Sequence, residues 1–323
     1  MPNLLIWIID EEWPDYNLEW ELLEQAFPGC TIRHSGYDYQ ADLKEFGHRA
    51  DAILAQVYVH IPQEVIAQLE CCRAIAVYGG GFDRIDVAAA RQHGIPVTNV
   101  QGYCAEDIAD YVMAAIYHFN KRINQFSSNL SNGLWGTPAV DKPIRRLSGS
   151  TLMVVGCGQI GRTVAQKAGA AGLRVVGYDP MANEQMLLQA GIERVELNDG
   201  LAQADFVSVH VNYSLATDGL LGMEQFRRMK RDAILINAAR GRILVEQNLI
   251  VAVDQGVIGG AVVDVISNEP PTPDEAIFGH KNLIVTPHVS YISEESHHEL
   301  KLRAITNLIK MLQGEHPADL VNG

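Results

Sequence analysis

One stretch near the middle of the chain constrains its fold more than any other. It begins with the apolar run Thr151–Val155, continues through Gly156, Gly158 and Gly161, and ends with a second apolar run before Asp179. The order is strand, glycine turn, helix, strand and acidic residue. The glycines permit a sharp turn, a close approach of the backbone to a pyrophosphate, and tight helix–strand packing. The helix N-terminus offers N–H groups to the phosphates. This stretch therefore predicts a dinucleotide-binding site.

Asp179 bears on the choice of dinucleotide. It follows the glycine turn by about 20 residues, the spacing of a carboxylate that bonds the ribose 2′-hydroxyl. A carboxylate at this position repels a 2′-phosphate, and the following Pro180–Asn183 contains no Arg or Lys to neutralise one. The sequence therefore favours NAD over NADP.

Length and composition limit the class of protein. A chain of 323 residues fits two domains, and 47% hydrophobic with 20% charged residues is typical of a soluble globular protein. No apolar run reaches the ~18 residues of a membrane span, and Met1–Asn3 lack the basic start of a secretory signal. The net charge of −14 argues against nucleic acid or an anionic membrane as a partner. We therefore expect a small-molecule ligand rather than either of these.

The positions of the cysteines indicate the redox compartment of the protein and bear on whether it binds a metal. The five cysteines include no C-x-x-C spacing, which favours reduced thiols over a disulfide framework. The His and Cys positions are scattered without the spacing of zinc ligands. We therefore expect a cytoplasmic protein and no metal site.

The remaining pattern alternates strands and helices. The segment from Leu4 to Val100 reads as a small doubly wound parallel sheet, and apolar residues at helical spacing predict one long helix over Ala105–Leu130. Glu294–Leu312 is predicted as a closing amphipathic helix. Four apolar strands are predicted after the dinucleotide unit: Phe206–Val211, Ala233–Asn237, Gly260–Val265 and Leu283–Thr286.

Three of these later strands lead into side chains that can carry chemistry. Arg240 follows one strand, Asp264 interrupts the next with Glu269 just beyond, and His288 comes directly after the last. Taken singly, Arg240 would be interpreted as part of a surface ion pair and Asp264 as a paired carboxylate. Glu269 would be a solvated loop acid and His288 a core histidine. Their joint position at successive strand ends favours a ligand site, because open α/β sheets bind ligands there.

A run of three glycines, Gly79–Gly81, follows an apolar strand in the first part of the chain. One interpretation is a simple strand-to-helix turn. The other is a set of backbone N–H groups that bind a carboxylate. The sequence leaves both open.

The combined motifs resemble the D-isomer-specific 2-hydroxyacid dehydrogenases, a family that includes phosphoglycerate, glycerate and D-lactate dehydrogenases and the C-terminal-binding-protein corepressors. The resemblance rests on the glycine turn and on Tyr78–Asp86, His93–Val100, Asn237–Gly241, Gly260–Val265, Glu269–Pro271 and Thr286–His288. It implies an α/β protein of two doubly wound parallel-sheet domains. A Rossmann NAD domain, residues 100–289, would be inserted in a flavodoxin-like substrate domain formed by residues 1–99 and 290–323.

The resemblance also implies roles for individual residues. His288 would protonate the carbonyl oxygen of a 2-oxo acid as nicotinamide delivers hydride to carbon 2, and Glu269 would hold the imidazole. Arg240 would clamp the substrate carboxylate with its fork of donors, while the N–H groups of Gly80 and Gly81 take the other carboxylate oxygen. Tyr103 would line the substrate. The implied cofactor contacts are Cys104, Gly156, Gly158, Gln159, Ile160, Gly161, Asp179, Pro180, Val211, Thr217, Ala238, Asp264, His288 and Ser290.

Three positions depart from the family pattern. Asn212 stands where Pro is common, Ala238 where Thr or Ser is common, and Tyr111 where His is common. These departures affect fine cofactor contacts and the subfamily more than the reaction. The acidic first domain weighs mildly against a phosphorylated substrate, with Arg84 as one candidate contact.

The predicted function is NAD-dependent reduction of a small 2-oxo acid, or its reverse. A homodimer is expected from the resemblance, because the 105–130 helix and the 132–147 loop lie as in relatives that dimerise through the nucleotide domain. One alternative is an NAD(H)-sensing, corepressor-like binding protein with vestigial catalysis, which turnover would distinguish. Oxidation of formate or phosphite is a second enzyme alternative, although the asparagine-rich motif expected for formate is not recognisable.

Overall fold

The computed structural model describes residues 4–323, so Met1–Asn3, which entered the expectation about a secretory signal, lie outside it. The backbone contacts divide the chain into two compact units. The first contains the residues up to Tyr103 together with Ser293–Gly323, and the second is Cys104–Ile292. The assignment of one unit to substrate and the other to NAD stays a prediction.

Within residues 4–323 the chain forms twelve strands and twelve α-helices, and all the strand pairings are parallel. In order they are β1 Leu5–Ile9, α1 Asn17–Ala26, β2 Thr31–Ser35, α2 Gln40–Glu45, β3 Ala52–Gln56, α3 Gln63–Ile66, β4 Ile75–Tyr78, α4 Val87–Gln92, β5 Val97–Thr98, α5 Ala105–Lys121, α6 Ile123–Ser131, β6 Thr151–Val155, α7 Gln159–Ala170, β7 Arg174–Tyr178, α8 Glu184–Gln189, β8 Glu193–Arg194, α9 Leu197–Gln203, β9 Phe206–Val209, α10 Met223–Arg228, β10 Ile234–Asn237, α11 Glu246–Asp254, β11 Gly260–Val263, β12 Leu283–Val285 and α12 Glu294–Leu312. The predicted class, α/β with two doubly wound parallel sheets, is confirmed.

The first unit contains a five-stranded sheet in the order β2-β1-β3-β4-β5. Its central strand β3 is buried along its whole length, as expected for a parallel strand covered on both faces. The C-terminal helix α12 is fixed to this unit by Lys301, whose Nζ lies 3.1 Å from Oε2 of the fully buried Glu19. Lys301 also donates to the carbonyl of Asp15. The first and last helices of the chain, α1 and α12, are therefore joined by a buried ion pair.

The second unit contains a seven-stranded sheet in the order β12-β11-β10-β9-β6-β7-β8. The chain runs outward from β6 in one direction, then returns to add β9 on the other side of β6. This reversal is the Rossmann arrangement, and it creates a crevice at the carboxyl ends of β6 and β9 where such sheets bind ligands.

The predicted long helix over 105–130 is wrong in one respect, because two helices occupy that span. α5 ends at Lys121 and α6 begins at Ile123, with Arg122 between them in the left-handed region at φ +48°. The Arg122 guanidinium donates to Asp141 Oδ1 at 2.8 Å and to the carbonyls of Lys142 and Pro143. Apolar residues keep their helical spacing across the break, so periodicity alone does not reveal it.

The strand predicted over Gly260–Val265 is also shorter than expected. β11 ends at Val263, so Asp264 follows the strand instead of interrupting it. The Asp264 side chain accepts hydrogen bonds from the neighbouring loop that contains Thr286, Val289 and Ser290.

The part of the chain that the structure describes contains no helix long and apolar enough to cross a membrane. In the same range, no group of three or more His, Cys, Asp and Glu side chains is arranged to hold a metal ion.

Candidate active site

The glycine turn after β6 has the shape that the sequence predicts. Gly156 has φ +92°, and a Cβ atom there would lie 2.6 Å from the Val211 amide nitrogen across the crevice. A Cβ atom at Gly161 would overlap the carbonyl oxygen of Gly156, whereas one at Gly158 would meet nothing within 4 Å. Two glycines are therefore required by the fold, and the third leaves open space at the N-terminus of the 12-residue α7. A pyrophosphate fits such a helix start.

Asp179 follows β7 and connects two turns. Its Oδ2 accepts from the amide of Cys157 at 2.9 Å, and its Oδ1 accepts from the amide of Met181 at 2.9 Å. The carboxylate is half-buried and lies beside the glycine turn, the position required for a ribose contact.

The sequence did not indicate that Arg194 supports this turn. Its Nη1 donates to the carbonyl of Asp179 at 2.9 Å, its Nη2 to the carbonyl of Ala182, and its Nε to Glu184 Oε2 at 2.8 Å. The turn after Asp179 thus has an arginine next to it, but that arginine braces the backbone. Only the pairing of β8 with β7 brings Arg194 there.

His210, just after β9, lies at the same crevice. Its Nε2 lies 2.7 Å from Ser208 Oγ, and its Nδ1 is buried with no hydrogen-bond partner among residues 4–323. Burial lowers the pKa of His210 to about 3, so the ring is neutral at physiological pH.

The loops after β10, β11 and β12 are interlocked by main-chain contacts. The amide of Asp264 donates to the carbonyl of Asn237, and the amide of His288 donates to the carbonyl of Asp264, both at 2.9 Å. A Cβ atom at Gly241 would overlap the backbone of Ile266. These contacts bring the loops of Arg240, Glu269 and His288 together.

His288 and Glu269 form a pair at this edge of the sheet. His288 Nδ1 lies 3.3 Å from Glu269 Oε2, and the two side chains are 16% and 10% exposed. Glu269 Oε1 accepts from the amide of Ile266 at 3.0 Å. Burial acts to raise the pKa of the Glu269 carboxyl, but the contact with His288, the Ile266 amide and the charge of Arg240 outweigh it and the pKa is lowered. Glu269 is therefore the anionic partner of the imidazole.

Arg240 extends from the end of β10, next to this pair. Its Nη1 donates to the carbonyl of Ala239 at 2.8 Å, and its own carbonyl accepts from Asn237 Nδ2 at 2.9 Å. The guanidinium is half-buried, and its charge acts on Glu269. The second unit thus places a cation, an imidazole and a carboxylate at adjacent strand ends.

Asp264 is nearly fully buried and organises the loop that carries His288. Its Oδ1 accepts from Thr286 Oγ1 at 2.5 Å and from the amide of Val289 at 2.9 Å, and its Oδ2 accepts from the amide of Ser290 at 2.7 Å. The loop holds His288 at φ +55°, a left-handed conformation that costs a non-glycine residue roughly 1 kcal/mol. Asp264 therefore stabilises the strained conformation of His288.

The glycine run of the first unit is held from one side. The amide of Val100 donates to the carbonyl of Gly79 at 2.8 Å, and Asn99 Nδ2 donates to the carbonyl of Gly80 at 2.7 Å. In a trans peptide the N–H points opposite to the preceding C=O. The N–H groups of Gly80 and Gly81 are therefore directed away from Val100 and Asn99, as an anion-binding turn requires.

Most predicted cofactor residues lie at the carboxyl edge of the second unit's sheet. Tyr103, Gly80 and Gly81 belong to the first unit, and Cys104 begins the second. The structure brings to the carboxyl ends of β6, β7, β9, β10, β11 and β12 the residues Gly156, Gly158, Gln159, Ile160, Gly161, Asp179, Pro180, Val211, Thr217, Ala238, Asp264, His288 and Ser290. The sequence did not indicate the supporting contacts of Asn99 with Gly80 and of Arg194 with the turn after Asp179, because these partners are distant along the chain.

Comparison with known proteins identifies the family of this chain. The family model described as "D-isomer specific 2-hydroxyacid dehydrogenase, NAD binding domain" matches residues 113–290. A glyoxylate reductase of Korarchaeum cryptofilum is 35% identical over 84% of this chain and 82% of its own length. A hydroxypyruvate reductase of Blautia hydrogenotrophica is 30% identical over 95% of each chain.

A solved structure has the same architecture. The TT0316 protein of Thermus thermophilus superimposes with a TM-score of 0.85 at 29% identity, covering 98% of this chain and 99% of its own. The predicted NAD cofactor is confirmed by the family model, which is that of an NAD-binding domain. The chain belongs to the D-isomer-specific 2-hydroxyacid dehydrogenase family, and it is an NAD-dependent oxidoreductase.

Proposed function

We propose that this enzyme reduces a small unphosphorylated 2-oxo acid, with His288, Glu269 and Arg240 as its catalytic residues. The observation that carries the proposal is the 3.3 Å pair between His288 Nδ1 and Glu269 Oε2, because a carboxylate at one ring nitrogen orients an imidazole for general acid–base chemistry. Bound NADH would supply the hydride to carbon 2.

His288 provides the proton in this proposal. Its Nε2 hydrogen passes to the carbonyl oxygen as the alkoxide develops, and the ring returns to the neutral form. Glu269 fixes the ring orientation through Nδ1 and stabilises the protonated state before transfer. In the oxidative direction the same imidazole accepts the hydroxyl proton.

Arg240 binds the substrate carboxylate in this proposal. A guanidinium is positively charged and matches a carboxylate in shape, so Arg240 favours an anionic ligand at this edge of the sheet. The amides of Gly80 and Gly81, held by Val100 and Asn99, are proposed as donors to a carboxylate oxygen.

The substrate group follows from two observations. The two relatives described above are named for glyoxylate and hydroxypyruvate, which are small and carry no phosphate. Acidic side chains clearly outnumber basic ones in the first 99 residues, which disfavours a phosphorylated acid. We therefore propose glyoxylate or hydroxypyruvate as the preferred class of substrate.

We further propose a cytoplasmic homodimer that associates through α6 and the segment after it. None of the α6 side chains is buried, and Ile123 is 69% and Trp135 79% exposed. Leu130, Leu134, Val140 and Ile144 are also exposed large apolar residues. A surface of this kind is typical of an interface. Light scattering should give twice the monomer mass, and Ile123→Glu with Trp135→Glu should give the monomer mass.

The test of the catalytic proposal is NADH oxidation against glyoxylate, hydroxypyruvate, pyruvate, phenylpyruvate and phosphohydroxypyruvate. His288→Ala should lower kcat at least 10²-fold, as expected for loss of a general acid. His280→Ala is the matched control, because His280 forms a similar pair with Asp254 at 2.9 Å on the surface of the same unit. NADH binding without turnover on any acid would support the NAD(H)-sensing alternative instead.

A further inference from the structure

A continuous chain of hydrogen bonds lies behind the His288 loop. The Tyr111 hydroxyl is 2.6 Å from Thr286 Oγ1, and Thr286 Oγ1 is 2.5 Å from Asp264 Oδ1. Neither Tyr111 nor Thr286 has a role in the proposed proton transfer.

The direction of each hydrogen bond can be assigned. Asp264 Oδ1 also accepts from the amide of Val289, so it acts as an acceptor, and Thr286 donates its only hydroxyl hydrogen to it. Thr286 Oγ1 can then only accept from Tyr111. Burial raises the pKa of Tyr111 to about 12, so the phenol keeps its proton throughout the working pH range. The chain therefore runs from Tyr111 through Thr286 to Asp264.

The chain ends on the group that shapes the His288 loop. Asp264 binds the amides of Val289 and Ser290 through its carboxylate, and its carbonyl binds the amide of His288. Asp264 thus holds His288 and the two residues that follow it, while the φ of +55° at His288 is unfavourable. We therefore expect that a less firmly held Asp264 would let the loop relax and would lengthen the 3.3 Å contact between His288 and Glu269.

Tyr111 comes from outside the loops that form the site. It lies on α5, which packs against α7, the helix that begins at the glycine turn. Lys167 of α7 joins the two helices through ion pairs with Glu106 and Asp110 at 2.7 and 2.6 Å. The Tyr111 hydroxyl therefore connects the loop that carries His288 to α5, and α5 packs on the helix that begins at the glycine turn.

We propose that Tyr111 is a positioning residue that acts through Thr286 and Asp264 to hold His288 against Glu269. This inference rests on the proposed role of His288. In this proposal Tyr111 affects the rate of the reaction but contacts neither the substrate nor the reacting atoms.

The experiment compares Tyr111→Phe, Thr286→Val and Thr286→Ser under saturating NADH and 2-oxo acid. Tyr111→Phe and Thr286→Val should each lower kcat by about tenfold, because small displacements of a catalytic group are costly. Thr286→Ser keeps the hydroxyl and should retain a rate near that of the wild type. The Tyr111→Phe/Thr286→Val double variant should be no slower than Thr286→Val alone, since both break one chain.

Three further measurements separate positioning from a general loss of structure. The NADH dissociation constant should stay within about twofold of the wild type in all variants. The pH at which the reductive kcat/KM falls to half should move to lower values in Tyr111→Phe, because a ring farther from Glu269 holds its proton less well. Tyr117→Phe, an exposed tyrosine on the same helix, is the control and should change neither property.

The outcomes distinguish this inference from the proposed function. Loss of turnover in His288→Ala together with an unchanged rate and pH profile in Tyr111→Phe would overturn the role of Tyr111 and leave the proposed function intact. Full activity in His288→Ala would instead refute the proposed function. If Tyr111→Phe loses NADH binding, the Thr286 pair decides, and equal rates for Thr286→Val and Thr286→Ser refute the inference.

Discussion

The neutral His210 predicts a specific loss of stability on acidification. Burial lowers its pKa to about 3 in the folded protein, whereas a histidine in an unfolded chain titrates near ~6.5. Between these pH values His210 is therefore protonated in the unfolded chain and neutral in the folded protein. The stabilising contribution is fully present above about pH 6.5 and is lost progressively as the pH falls towards 3.

The size of the effect follows from the two titrations. At pH 5, protonation of His210 in the unfolded chain raises the equilibrium constant of unfolding by about 1.5 log units relative to pH 7.5. The free energy of unfolding is therefore about 2 kcal/mol lower at pH 5 than at pH 7.5. The whole effect is about 5 kcal/mol, and it is approached only as the pH falls below the folded-state pKa of about 3. His280, in the same unit, acts in the opposite direction, because its contacts with the Ala276 carbonyl and Asp254 raise its pKa. A single-residue variant at His210 keeps that opposing contribution and removes only the first.

The test is His210→Gln, since the glutamine amide can keep the bond to Ser208 Oγ. Hydrogen exchange of peptides that contain β9 gives the opening free energy of the second unit at pH 7.5 and pH 5. The wild type should lose about 2 kcal/mol more than the variant between these values. Agreement of the two pH dependences within about 0.5 kcal/mol would show that His210 is not held neutral.

The remaining predictions concern the two glycine turns and the pair formed by His288 and Glu269. Gly156→Ala should destabilise the second unit by about 1–3 kcal/mol in thermal unfolding, because φ is +92° and the added Cβ meets backbone. Gly158→Ala should melt like the wild type yet weaken NADH binding by about tenfold, and a normal dissociation constant would argue against phosphate at this glycine. Asn99→Ala should raise the KM for the 2-oxo acid about tenfold with NADH affinity unchanged, and an unaltered KM would exclude a bracing role at Gly80. Glu269→Gln should lower the reductive kcat and shift the pH optimum to lower pH, since an uncharged partner holds the imidazole proton less firmly; an unmoved optimum in the rate profile would contradict the pairing.

The part of the site that follows from local sequence was predictable. The glycine turn depends on φ values and close contacts that only glycine permits, so the strand, turn and helix around Gly156 appear in the structure as expected. Arg240 and His288 each come three residues after the end of an apolar strand, and the carboxyl ends of parallel strands meet at one edge. These inferences needed no knowledge of the strand order.

The supporting contacts were not predictable, because they join positions that only the folded topology brings together. Asn99 reaches Gly80 through the pairing of β4 with β5, and Arg194 reaches the turn after Asp179 through the pairing of β7 with β8. Tyr111 was visible only as a departure from the family pattern. Its contact with Thr286 spans most of the second unit along the chain.

The register of three strands explains why the loops that carry Arg240, Asp264 and His288 meet. In the sheet, Asn237 pairs with Val263 and Val263 pairs with Val285, so β10, β11 and β12 end at the same level. The next amides then donate across from one loop to its neighbour, from Asp264 to the carbonyl of Asn237 and from His288 to the carbonyl of Asp264. The position of His288 is therefore set by the sheet, not by the flexibility of its loop. The same ladder explains how His288 tolerates an unfavourable φ, because Thr286 and Val289 on either side of the Pro287–His288 pair are held by hydrogen bonds that a register shift would break.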